Sequence, residues 1–267
     1  MTTGTPAEIA KDVHGAVLRP WAGRVFFVRS GASWVLIDTA SSGQGDRIRA
    51  MAASLFGPGT PPANILLTHV HPDHAGSALE LARAWSCPVY LHPAEMELAE
   101  ARDLAAVERY ATPLDRWLVL PIMRLLPKRR ADAMVASGSL AGHARPLPLD
   151  GSAPGLPDWT VIACPGHSPG HVAFHRARDG VLISGDALLT VDLASPAGVL
   201  RWITSPRRVN VSPPPGWLDV DHRAALRSAA QLVARRPRVL APGHGRPISG
   251  AEVERELGAF ERRREAA

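Results

Sequence analysis

The residues most able to do chemistry lie in one short segment, His69-Val70-His71-Pro72-Asp73-His74. Residues two apart in an extended chain point to the same side, so His69 and His71 can converge on one point. A turn at Pro72 lets Asp73 and His74 face a second point nearby. Imidazole and carboxylate donors suit a borderline cation such as zinc, and donors packed this densely indicate two cations rather than one.

Three more candidate ligands lie farther along the chain, each in a glycine-containing turn after a strand-like run. They are His167 in Pro-Gly-His-Ser-Pro-Gly-His, Asp186 in Ser-Gly-Asp and His244 in Pro-Gly-His-Gly. Open α/β sheets place ligands and catalytic groups at strand ends followed by tight turns. The recurrence of this pattern predicts that the three side chains join the first segment in one metal site.

Alternating strands and helices are expected to position these residues. In the first ninety residues, the periodicity of apolar side chains predicts strands at 24–29, 34–38, 64–68 and 89–91. It predicts helices at 44–55 and about 75–85. Strand-like runs return at 160–163, 172–175, 181–184 and 238–241, with helices at about 222–235 and 251–264. This alternation favours a layered α/β domain.

Residues from about 93 to 145 interrupt the alternation and predict an inserted helical cap. A helical pattern at 94–111 is followed by the apolar run 117–123 and by the basic residues 128–130. The cap either packs its apolar residues on the rest of the domain, or forms a lid over an apolar substrate cleft or a contact in a homodimer. If the cap is a lid or a dimer contact, Arg124 and residues 128–130 would hold an anionic group. Otherwise these residues lie in solvent.

Composition indicates a folded protein and narrows its partners. The 267 residues are 46% hydrophobic and 21% charged, which allows a large core and excludes global disorder. The surplus of 30 basic over 25 acidic residues is too small to indicate binding to nucleic acid. The cap's apolar run is too short to span a bilayer, and the first residues lack the pattern of a secretory signal. We therefore expect a cytoplasmic protein with no membrane span, and Cys87 and Cys164 as buried thiols.

The sequence resembles the metallo-β-lactamase superfamily, whose signature is HxHxDH followed by separate His, Asp and His ligands. The resemblance implies a four-layer αββα sandwich, in a single domain over residues 1–267 with the helical cap inserted at about 93–145. Gly-His-Ser-Pro-Gly-His and Ser-Gly-Asp look most like the glyoxalase II and lactonase branches. The implied ligands are His69, His71 and His167 for one metal ion, Asp73, His74 and His244 for a second, and Asp186 as a bridge.

The implied activity is hydrolysis of an ester, thioester or lactone by a hydroxide that bridges two divalent cations. Such a hydroxide is available near neutral pH. Zinc is the expected metal, with iron or manganese as alternatives. Asp73 would also orient the hydroxide, which makes it the candidate catalytic residue. Asp38 and His171 are candidates for holding ligands in place by hydrogen bonds, and Tyr110 is a candidate donor to a substrate carbonyl.

Other activities of the superfamily stay open at this point. A mononuclear iron persulfide dioxygenase would use only His69, His71, His167 and Asp186. A nuclease would need a strongly basic face, and a binding module without activity would be expected to lack a ligand position. A β-lactamase proper is disfavoured, because those enzymes generally lack an aspartate at the bridging position. The expected partner is a small-molecule substrate.

Overall fold

Two β-sheets form the centre of the computed structural model, which describes residues 4–19, 23–205 and 208–266. The first sheet runs in chain order through Ala7–Ala10 (β1), Val13–Ala16 (β2), Val25–Ser30 (β3), Ser33–Ile37 (β4), Ile65–Leu66 (β5), Val89–Leu91 (β6) and Ala144–Pro146 (β7). Strands β1 to β4 pair antiparallel, and β4 to β7 pair parallel. The residues 1–3 that contributed to the expected cytoplasmic location lie outside the described residues.

The second sheet has the spatial order β12-β11-β10-β9-β8. Its strands are Thr160–Ala163 (β8), Val172–Arg176 (β9), Val181–Gly185 (β10), Val239–Pro242 (β11) and Ile248–Ser249 (β12). Strands β10 and β11 are parallel neighbours, so both end at the same edge. The α-helices outside the cap are Gly45–Phe56 (α1), Pro72–Ala75 (α2), Ala78–Trp85 (α3), Pro196–Thr204 (α8), His222–Val233 (α9) and Ala251–Glu265 (α10).

Three layers of apolar side chains separate the elements. In β3, Phe26 and Val28 face the space between the sheets, whereas Val25 and Phe27 pack with α1 and α3. This alternation arises because successive strand residues point to opposite faces. A third layer, which includes Phe260, lies between the second sheet and helices α9 and α10. The order helix, sheet, sheet, helix confirms the four-layer sandwich.

The inserted cap is helical but more broken than its sequence pattern predicts. Its α-helices are Met96–Ala99 (α4), Leu104–Glu108 (α5), Leu120–Arg124 (α6) and Lys128–Ser137 (α7). A wide π-helical turn over Asp115–Val119 precedes Pro121. Proline has no N–H to donate to the preceding turn, which explains why the regular hydrogen-bond pattern changes there. The helical part ends at Ser137, and the chain then returns to the first sheet as β7.

Smaller differences concern lengths of elements. The strand predicted at 64–68 is reduced to Ile65–Leu66. The Thr68 N–H bonds to the Asp38 side chain, and the Thr68 carbonyl accepts from Val172 N of β9 in the second sheet. The helix predicted at about 75–85 is α3, which begins three residues later, at Ala78, and the short helix α2 precedes it. Cys87 and Cys164 are buried free thiols, as expected. Within the described part of the chain, no helix is both long and apolar enough to cross a membrane.

Candidate metal centre

The candidate ligands lie in loops that follow strands of both sheets. His69, His71, Asp73 and His74 come after β5 and extend into α2. His167 lies between β8 and β9, Asp186 directly follows β10, and His244 follows β11. Because β10 and β11 are parallel neighbours, Asp186 and His244 leave the same edge of the sheet. The fold therefore brings seven residues from four separate loops into one place.

The ligand atoms form two groups, each with three donors within 4.8 Å of one another. The first, here called the imidazole group, consists of His69, His71 and His167. The second, here called the mixed group, consists of Asp73, His74 and His244. His69 and His74 also lie within the same limit of Asp186. These are the sets that the resemblance implied for two metal ions.

Asp186 lies between the two groups. Its Oδ1 is 3.4 Å from His74 Nε2, and its Oδ2 is 3.3 Å from His244 Nε2 and 3.6 Å from His167 Nε2. One carboxylate thus faces a member of the imidazole group and two members of the mixed group. This is the position that a bridging ligand requires.

A buried carboxylate, Asp38, sets the orientation of two histidines. It accepts hydrogen bonds from His74 Nδ1 at 2.8 Å and from the Thr68 hydroxyl at 2.8 Å. The Thr68 oxygen in turn lies 3.0 Å from His69 Nδ1, so that nitrogen donates to it. Both imidazoles therefore keep the Nε2 lone pair free for a cation. Burial raises the pKa of Asp38, whereas the charge of His74 and these hydrogen bonds lower it.

A second buried carboxylate, Asp219, acts in the same way on His167. Its Oδ1 accepts from His167 Nδ1 at 3.1 Å, and its Oδ2 lies 2.6 Å from His222 Nδ1. His171 has a different role, because its Nε2 accepts the backbone N–H of Asp186 at 2.9 Å. That bond occupies the Nε2 lone pair and holds the backbone of Asp186.

Backbone geometry explains why two turns of the site contain an aspartate and a glycine. Asp38 has a φ of 59°, which turns the chain at the end of β4 and is tolerated by aspartate better than by most residues. Gly243 allows the β11 loop to approach the site, since a Cβ there would lie 2.1 Å from Asp186 Oδ1. Larger residues at position 243 would displace the Asp186 carboxylate.

Burial and neighbouring charges lower the pKa values of two histidines of the site and raise those of two others. Burial, with the charges of other histidines, lowers the pKa of His69 well below its usual range and that of His71 to about 3. Burial also opposes a charge on His74 and His244, but the Asp186 and Asp73 carboxylates outweigh it and raise both pKa values, that of His244 to about 9. His69 and His71 are therefore neutral, and His74 and His244 hold protons that a cation would displace.

The donor set fits divalent cations. Within the described residues, the buried atoms His69 Nε2, His167 Nε2 and Asp186 Oδ1 have no hydrogen-bond partner. Buried polar atoms are normally satisfied, and three unsatisfied acceptors around one space indicate an electropositive ligand. Histidine and aspartate donors are the types that zinc and other first-row dications take.

Sequence reasoning missed three residues that support this site: Thr68, Asp219 and Glu95. Glu95, at the start of the cap, is 1% exposed. It accepts hydrogen bonds from Val70 N, the Ser168 hydroxyl and Gly170 N. Glu95 thus ties the loop of His69 and His71 to the loop of His167. Its only sequence signal was its place in a helical pattern of mixed charge, which does not distinguish it from a surface residue.

Tyr110 is not drawn into this network. Its hydroxyl donates to Glu97, another cap residue, and its described contacts do not include the histidine cluster. The predicted role of Tyr110 in substrate binding stays a prediction.

Comparison with known proteins identifies relatives of similar architecture. A family model described as "Metallo-beta-lactamase superfamily" matches residues 18–244. The "Probable metallo-hydrolase YflN" of Bacillus subtilis is 32% identical over 258 residues, covering 96% of this chain and 92% of that protein. The solved structure of TTHA1623 in a di-iron-bound form is 29% identical, with a TM-score of 0.57 and coverage of 93% of this chain and 96% of that chain. A hydroxyacylglutathione hydrolase of Bdellovibrio bacteriovorus is 29% identical over 126 residues, covering 47% of this chain and 34% of that protein.

Proposed function

We propose that this chain, which belongs to the metallo-beta-lactamase superfamily, is a metal-dependent hydrolase. It uses two cations to cleave an ester, thioester or lactone. The observation that carries this proposal is the placement of Asp186, with one oxygen 3.4 Å from His74 and the other 3.3 Å from His244 and 3.6 Å from His167. A carboxylate between two complete donor groups suits a pair of cations better than a single one.

The chain's own residues provide the setting for this chemistry. Two divalent cations bound here would supply a hydroxide nucleophile near neutral pH and polarise the carbonyl under attack. Asp38 and Asp219 hold the ring nitrogens of His74 and His167 in the orientation that binding requires. The Asp73 side chain is 34% exposed, so it borders the open side of the site and can accept a hydrogen bond from the attacking water.

The surroundings of the site favour a substrate with an apolar part. The ring of Trp202, in α8, lies 6.5 Å from the ring of His244. Leu200 and Ile203 of the same helix are exposed. An acyl group bound at the centre would contact this helix. The name of the hydroxyacylglutathione hydrolase relative is consistent with cleavage of an acyl bond.

Zinc is the proposed metal, since its usual protein ligands are those grouped here. Iron is the leading alternative because TTHA1623 has a di-iron-bound form, and manganese is a further one. The proposed substrate is a small molecule, and the cytoplasm is the proposed location. The glyoxalase II-like or lactonase-like branch remains part of this proposal.

The test is hydrolysis by the purified, metal-loaded protein of a panel of esters, thioesters, lactones, β-lactams and phosphodiesters. We expect turnover of at least one acyl substrate and a loss of about a thousandfold or more in Asp186→Asn, corresponding to several kcal/mol of transition-state stabilisation. The matched control is Asp158→Asn, because Asp158 is an exposed carboxylate that pairs only with Arg178 among the described residues. Equal activity of the Asp186 and Asp158 variants would contradict the proposal, as would one bound iron with oxygen uptake on a persulfide.

A further inference from the structure

The cap exposes large apolar side chains to solvent. Trp117 is 86% and Leu125 85% exposed, and Leu118 and Ile122 are more than half exposed. Leu118, Ile122 and Leu125 recur at spacings of four and three along the helical segment 113–124 and its end, which places them on one side, and Trp117 adjoins Leu118 in the chain. Leu120, on the other side, is buried. The outward side of this helix is therefore apolar.

Basic residues adjoin these apolar residues in the sequence. Residues 116–130 contain Arg116, Arg124, Lys128, Arg129 and Arg130 and no acidic residue. The remaining residues hold 25 basic and 25 acidic side chains, so this short segment carries the whole formal net charge of +5. Arg124 pairs with Glu108 and Lys128 with Asp132, whereas Arg129 and Arg130 are exposed and have no ion pair with another described residue.

We propose that this cap surface, formed by Trp117, Leu118, Ile122 and Leu125 with the flanking basic residues, docks the protein on an anionic lipid bilayer. The combination of an exposed Trp and Leu side with adjacent Arg and Lys is that of helices lying in the interface of a membrane. Indole rings favour the headgroup level, and basic side chains are attracted to anionic headgroups. The attachment is peripheral, since the segment is too short to span.

Charge decides between a bilayer and a second copy of the chain. A twofold dimer through this surface would place the segment 116–130 against itself, because such interfaces use the same patch on both subunits. Arg129 and Arg130, which have no ion pair with another described residue, would then lie near the same two residues of the other copy. An anionic bilayer presents the opposite charge over a wide area, so it complements both the apolar and the basic part of the surface.

The experiment is sedimentation of the metal-loaded 267-residue chain with vesicles. Vesicles of phosphatidylcholine mixed with phosphatidylglycerol are compared with vesicles of phosphatidylcholine alone, at low and high salt. We expect binding to the anionic vesicles, weaker binding at high salt because charges are screened, and little binding to the neutral ones. Each basic residue near an anionic surface contributes about fivefold, so Arg129→Gln with Arg130→Gln is expected to weaken binding roughly twentyfold. Leu125→Ala is expected to weaken it about tenfold.

Matched controls change equally exposed residues elsewhere. Leu149, 83% exposed, is replaced by alanine, and Arg262 and Arg264 at the end of α10 are replaced by glutamine. These controls are expected to bind vesicles like the unchanged protein. The same weakening in controls and cap variants would overturn the proposal. Absence of binding to anionic vesicles would also overturn it, and so would a dimer in solution that Leu125→Ala separates into monomers.

Discussion

The metal centre and the cap surface hold their side chains in opposite ways. In the metal centre, Asp38 is fully buried and accepts hydrogen bonds from His74 and from the backbone and hydroxyl of Thr68. In the cap surface, Trp117 and Leu125 extend into solvent. The proposed role of the first region depends on side chains held in a fixed orientation. That of the second depends only on which residue types are exposed. Substitutions in the metal centre should therefore change metal binding and chemistry, whereas those in the cap surface should leave both intact.

The largest effect after loss of a ligand is expected for Asp38→Asn. The amide can offer one acceptor oxygen where the carboxylate offers two, so His74, and His69 through Thr68, lose their fixed orientation. We expect metal affinity to fall about 10- to 100-fold, measured by competition with a chromophoric chelator. Affinity equal to that of the unchanged protein would show that orientation by Asp38 is not required.

Asp219→Asn tests whether one group can be weakened selectively. Asp219 contacts His167 in the imidazole group and His222, and its described contacts include no member of the mixed group. We expect one of two titration steps to weaken by about tenfold and the other to stay constant. A parallel loss in both steps would mean that the groups do not bind cations separately.

Glu95→Gln tests the link between the cap and the metal centre. The substitution leaves at least one of three buried donors without an acceptor, on Val70, Ser168 or Gly170. We expect the free energy of unfolding to fall by about 2 kcal/mol, measured by urea denaturation. Glu97→Gln is the control, because Glu97 is a partly exposed cap carboxylate that pairs with Arg109. Equal destabilisation by both would remove the special role of Glu95.

The smallest effect is expected for Leu125→Ala. An exposed residue without packing partners contributes little to stability, so the free energy of unfolding should change by less than about 0.5 kcal/mol. Metal content and hydrolysis of soluble substrates should not change. A clear fall in melting temperature would show that Leu125 packs against the protein, which would weaken the contrast between the two regions.

Local sequence signals predicted a layered α/β domain and the convergence of the candidate ligands, whereas the four-layer sandwich and the two ligand sets came from the resemblance to a family. His69 and His71 are two residues apart, and Asp186 and His244 stand in glycine turns after strand-like runs, so spacing and turn chemistry were enough to suggest convergence. The strand at 64–68 was predicted too long because Thr68 bonds to the Asp38 side chain and to β9 of the second sheet, an effect that depends on tertiary contacts.

Residues that act across long separations could not be found in this way. Asp219 reaches His167 across 52 positions of the chain, and Glu95 reaches Gly170 across 75. Acidic residues are common in helices and turns, so nothing local marks these two as buried acceptors. The helix predicted at 94–111 is interrupted partly for the same reason, because Glu95 is buried by its contacts with a distant loop. The second cause is local, since Asp103 accepts from Ala106 N and begins a new helix.

The most direct test of the central claim is the number of metal ions per chain, measured by elemental analysis at saturating zinc. The account predicts two ions in the unchanged protein. It predicts one ion in His71→Ala, which removes a donor of the imidazole group, and one in Asp73→Ala, which removes a donor of the mixed group. A single ion in the unchanged protein, lost in both variants, would contradict a centre built from two groups around Asp186.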